Sequence, residues 1–127
     1  MEFFKEIDAQ DLTEASIKSK VTIGNLSYLC ASVDRIIEDR IHTGVIYCVW
    51  GEFVIHREEI IDGVRFTLPV CPNALAWTVT YDQQRRKIVV HCTIDKQLHN
   101  ADFIESIQQF VDDMGKGLEK LKSSAAT

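Results

Sequence analysis

"ALAWTVTYDQQRRKIVVHCTI", Ala74 to Ile94, decides the fold, because two alternating segments flank one polar turn. In the first, Leu75, Trp77, Val79 and Tyr81 oppose Ala74, Ala76, Thr78 and Thr80; in the second, Ile88, Val90, Cys92 and Ile94 oppose Val89, His91 and Thr93. A period of two with one apolar face marks a half-buried strand, and DQQRR has the composition of a hairpin turn. The spacing therefore predicts an antiparallel pair with one face on a core.

Moving toward the amino terminus, "VRFTLPV" repeats the parity with Val64, Phe66, Leu68 and Val70 on one face, joined to the next strand by a turn at CPN. Asp62-Gly63 supplies a turn signal just before it. "GVIYCVWGEFVIH", Gly44 to His56, differs in kind: Ile46, Cys48 and Trp50 share one face while Val45, Tyr47 and Val49 occupy the other. Such a segment reads as a central strand covered on both sides, with a bulge or bend at Gly51.

"SVDRIIEDRIHTG" fits a helix capped by Ser32 and ended by Gly44, but it also fits a strand continuing through Leu29, Ala31 and Val33. The surrounding meander favours the strand, with a turn near Glu38 to Thr43. "KVTIGNLSYLC" reads as a hairpin around Gly24 and Asn25. Phe3, Phe4, Ile7 and Leu12 within "EFFKEIDAQDLTEA" suffice for one short amphipathic helix.

At the carboxyl end, Phe103, Ile104, Ile107, Phe110, Val111, Met114, Leu118 and Leu121 recur at three- and four-residue steps. They form one apolar stripe on a long helix, which Asn100 or Asp102 caps at its start, with Glu105 completing a variant capping box. Asp112 and Asp113 fall on its solvent side. Gly115 and Gly117 each weaken a helix by about 1 kcal/mol relative to alanine, so residues 118–127 are expected to form a frayed or disordered tail.

The fold class is thus α+β: a curved antiparallel β-meander of about five to seven strands packed against one long C-terminal amphipathic helix, with a short N-terminal helix. A chain of 127 residues fits a single domain, 1–127. Nineteen acids against fourteen bases repel phosphate backbones and anionic headgroups, so neither nucleic acid nor membrane is an expected partner. Arg85, Arg86 and Lys87 are read as solvating a turn. The opening residues lack the basic region, long apolar run and small-residue cleavage site of a secretory leader, so a cytoplasmic protein with reduced thiols is expected.

No catalytic or metal-ligating constellation emerges, and no cofactor is implied. Cys71, between Pro69 and Pro72, lies at a turn where a thiol is accessible, but nothing in the sequence places His56 or His91 beside it. His91 and Cys92 are adjacent on a strand and point to opposite faces, so they do not ligate one ion together. The six glycines form no phosphate cradle. An enzyme is therefore the less favoured reading.

Two functions remain. In the first, the protein is a non-catalytic self-associating module, a homo-oligomer joined through a second apolar sheet face around Val45, Tyr47, Val49 and Val89 or through a sheet edge. In the alternative, an apolar small molecule enters a pocket between the curved sheet and the last helix, lined by Trp50, Phe66 and Trp77. In outline this looks like a helix-grip arrangement, a likeness of shape with no motif behind it.

Overall fold

The computed structural model describes residues 1–95 and 99–125. Strand β1 (Glu2–Asp8) is followed by helix α1 (Glu14–Lys20), a 3-10 turn (Ile23–Asn25) and helix α2 (Leu26–Leu29). Six strands then run as a meander: β2 (Val33–Asp39), β3 (Thr43–Cys48), β4 (Gly51–Ile60), β5 (Gly63–Thr67), β6 (Ala76–Asp82) and β7 (Lys87–Thr93). Helix α3 (Ala101–Ala125) follows. All seven strands form one antiparallel sheet in the order β1-β7-β6-β5-β4-β3-β2.

The parity read from Ala74–Ile94 places the core. Val64, Phe66, Leu75, Trp77, Val79, Ile88, Val90 and Cys92 are all buried on the face that α3 covers, and Ile107, Phe110, Val111, Met114 and Leu118 meet them from the helix. Helix α3 lies closest to β1 and β7, α2 packs beside it and against β2, and α1 packs over β5 and β6. Three helices therefore share one lid, and all of them sit on the same side of the sheet.

That arrangement corrects the expected cover of the central strand. Gly44 to His56 is a hairpin rather than one interrupted strand: Cys48 pairs with Gly51 across the two-residue turn Val49-Trp50. Gly51 has φ +116°, a conformation strained for any residue with a Cβ, and this is why glycine ends the turn. The outward face of β3 is open to solvent, with Tyr47 42% and Val49 57% exposed. Most of the outward face is polar, since Thr67, Thr78, Thr80, Thr93, Glu52, Glu58 and Arg65 alternate with the buried set.

The amino-terminal third departs most from expectation. Residues 2–8 form an edge strand, and the short N-terminal helix begins at Glu14. Phe3 and Ile7 point inward while Phe4 points out and stacks on the His91 ring at 4.4 Å. Pairing with β7 supplies what local sequence does not reveal: Glu6 meets Arg85, Asp8 meets Lys87 and Glu2 meets His91 across the ladder. Arg85 and Lys87 thus tie β1 down rather than merely solvating a turn. The expected hairpin at Gly24-Asn25 is instead helical, because Ile23, Leu26 and Leu29 recur every three residues and are buried together. Residues 32–43, by contrast, form strand β2 and a turn, as the meander implied.

Thr13 caps α1 with Ser16 in a reciprocal box. Buried Arg57 closes the other end of that helix, its Nε donating to the Val21 carbonyl at 2.9 Å and its Nη2 to the Lys18 carbonyl at 2.7 Å. Asp113 is buried rather than solvated, accepting from Ser32 Oγ at 2.6 Å and Gln109 Nε2 at 2.8 Å. Helix α3 also continues past residue 118, with Leu118 fully buried and Lys122 5% exposed. Packing against the rest of the chain outweighs the low helix propensity of its two glycines.

The β1 pairs predict a pH response. Glu6 and Asp8 are exposed, and hydrogen bonds from Arg85 and Lys87 respectively hold their carboxyls below the ordinary range. A lowered folded-state pKa gives stability that is present above the unfolded value, 4.5 for Glu6, and is lost as pH falls through the folded value. The urea midpoint should therefore drop on acidification below about pH 5. The drop should be smaller for the double variant Glu6→Gln with Asp8→Asn, and an unchanged pH profile in that variant contradicts the assignment.

Candidate functional site

The side chains with most to offer a ligand gather where the β3–β4 turn and the β5–β6 connection approach the start of α3. Trp50 leaves the turn on the inward side, and its Nε1 donates to Ser106 Oγ at 2.8 Å. Ser106 in turn donates to the Phe103 carbonyl at 2.6 Å, so the indole is fixed to the first turns of the helix. Its ring stands edge-on to Phe103 at 6.3 Å and tilts against Phe110 at 5.2 Å. Phe110 meets Trp77 edge-on at 4.8 Å, and Trp77 stacks on Phe66 at 5.1 Å.

Beside Trp50 opens a hollow of about 280 Å³, walled by Phe53, Leu68, Cys71, Leu75 and Phe103 as well as the indole. Its position follows from chain connectivity. Strand β5 ends at Thr67 and β6 begins at Ala76, so the connection is too long for a tight hairpin and stands up as a wall. A larger hollow, about 500 Å³, lies on the outward face among Phe4, Thr78, Thr80, Gln83, Gln84 and His91. It is a broad, open trough of mixed polar and apolar lining, in which a ligand keeps most of its contact with water. The smaller hollow is less open and mostly apolar in lining, with the Asn73 amide among its walls, which is the composition of small-molecule sites.

Of the three residues that the sequence points to for a pocket, Trp50 lines the hollow. Phe66 and Trp77 lie in the filled core beneath it and join Trp50 through Phe110. Sequence reasoning missed Phe53, Leu68, Leu75 and Phe103 as lining. The one available signal was the length of the segment between Thr67 and Ala76. Among the proposed interface residues, Val45, Tyr47 and Val49 share one end of the outward face. Val89 lies on β7, four strand spacings or roughly 19 Å away, and does not join them.

The thiols separate by burial. Desolvation pushes Cys30 and Cys92 up to about 12 and also raises Cys48, whereas Cys71 stands half-buried in the wall of the hollow. His91 faces outward against Phe4 and Glu2 while its neighbour Cys92 is buried inward, so the adjacent pair is split across the sheet. Among the described residues, no group of three or more His, Cys, Asp or Glu is placed to hold a metal ion, and no helix is long and apolar enough to cross a membrane. Neither a scan against protein-family models nor a search of curated proteins returns a match.

Proposed function

We propose that this protein binds an apolar small molecule in the hollow between the sheet and the start of α3. The observation that carries the reading is the half-open, mostly apolar hollow of about 280 Å³ lined by Trp50, Phe53, Leu68, Leu75 and Phe103, with Asn73 as a polar neighbour. An apolar cavity of roughly 150 Å³ is enough for benzene, so this one admits a substituted aromatic or a short branched chain. Burying such a molecule yields about 25 cal/mol for each Å² of apolar surface removed from water.

Cys71 makes the reading testable, because a ligand in the hollow covers its thiol. With ethylbenzene as the probe, labelling of Cys71 by a thiol reagent should slow several-fold in the native protein. An unchanged rate at the solubility limit of the probe contradicts the proposal.

Self-association is a second reading, favoured by one observation: Tyr47, Val49 and Val54 are each at least 40% exposed at the β3–β4 end of the outward face. The Arg35 guanidinium lies 5.0 Å above the Tyr47 ring and covers part of it. Light scattering on the wild-type chain at tens of micromolar separates the two readings, a strict monomer counting against the second.

A further inference from the structure

The hollow has one polar wall, and that wall bears on what the hollow takes. Of the residues that line it, Asn73 alone carries a side chain with both a strong donor and a strong acceptor. Asn73 is half-buried, and among the described residues nothing bonds its side-chain carboxamide. The polar group nearest to the apolar walls is therefore without a partner in the chain.

The backbone fixes Asn73 at the hollow without using its side chain. Leu68 to Ala74 folds as two successive β-turns, closed by the Cys71 amide on the Leu68 carbonyl and by the Ala74 amide on the Cys71 carbonyl, each at 3.0 Å. Pro69 and Pro72 take the second position of each turn, which their fixed φ suits. Asn73 follows Pro72, and its carbonyl accepts from the Asp95 amide at 3.0 Å, which ties the second turn to the chain just past β7. An asparagine in a turn ordinarily bonds nearby backbone through its side chain. This one does not, so its carboxamide stays available to a molecule in the hollow.

Resting on the reading of the hollow as a ligand site, we infer that its ligand is a neutral amphiphile, with an apolar body that fills the hollow and one carbonyl or hydroxyl oxygen that accepts from Asn73 Nδ2. No lysine, arginine, aspartate or glutamate is among the residues that line the hollow. A carboxylate or an ammonium group there would lose hydration without gaining a counter-charge, so the polar group is uncharged. A pure hydrocarbon would strip water from the carboxamide and return nothing, so the site favours an oxygen-bearing ligand over a hydrocarbon of the same shape.

Acetophenone and ethylbenzene are matched in shape and differ in one carbonyl oxygen. Titration calorimetry of both compounds into the full chain and into Asn73→Ala reads the inference, because comparing ratios between the two proteins cancels the different hydration of the probes. The acetophenone-to-ethylbenzene affinity ratio should fall roughly fivefold in Asn73→Ala, within what one neutral hydrogen bond gives. Asn73→Asp, which keeps the shape and removes the donor, should lower the ratio at least as far. In the wild-type protein, acetophenone should move the Asn73 side-chain ¹H–¹⁵N resonances downfield of their positions with ethylbenzene, since both probes carry the same ring. Binding of both compounds with an unchanged ratio in the variants overturns the inference and leaves the hollow as a ligand site. Binding of neither overturns both.

Discussion

Gly117→Ala is expected to lower the unfolding free energy by about 3 kcal/mol or more, as severe overpacking does, although helix propensity alone predicts a gain of about 1 kcal/mol. The reversal of sign comes from the approach of α3 to α2. A Cβ at position 117 would lie 2.6 Å from Leu29 Cα, and closer still to the Leu29 carbonyl carbon and oxygen. These are backbone atoms of buried Leu29 at the end of α2, so neither side yields without separating the two helices. Gly115 is the internal control, because its Cβ would meet the flexible Lys5 side chain at 2.8 Å. Gly115→Ala should therefore stay within about 1 kcal/mol of wild type, the lysine turning aside. Denaturant titration of both variants checks this, and equal stability of Gly117→Ala and wild type contradicts the packing of α2 on α3.

Phe110→Ala should remove about 3 to 5 kcal/mol, the usual result of deleting a fully buried phenylalanine. Against a total of roughly 5 to 15 kcal/mol, that change brings the domain close to unfolding. The ring is fully buried and joins Trp50 to Trp77, so its loss leaves a void between the two indoles. The intrinsic fluorescence of the folded variant should accordingly shift, because these are the only two tryptophans of the chain. Phe103→Ala, at a partly buried position on the same helix, should cost less in the same denaturant titration. Equal losses for the two variants contradict the assignment of Phe110 as the central wedge.

What the sequence could reveal depended on whether the deciding contact was local. Alternation in Val64–Leu68, Leu75–Tyr81 and Ile88–Ile94 needed only neighbours in the chain, and the faces assigned from it are those observed except at Val70, which lies past the end of β5 and is 70% exposed. The stripe of α3 was equally legible. Residues 2–8 were not, since Phe3, Phe4 and Ile7 suit a helix or a strand. The partners that select the strand, Lys87 to Thr93, lie more than 75 residues away. Gly117 looked like a weak point of a helix because the segment it packs against, at Leu29, was itself read as part of a hairpin. The aromatic character of the site was visible in Trp50, Phe66 and Trp77. Its hollow was not, because it forms only where a turn, a long connection and a helix start converge.

The most direct measurement is a backbone-amide chemical-shift titration of the wild-type chain with ethylbenzene, whose ring current marks its own location. The account predicts the largest shifts at Trp50, Phe53, Cys71, Leu75 and Phe103, with Val45, Tyr47 and Val54 unmoved. Shifts confined to the outward face, or none up to the solubility limit of the probe, contradict it.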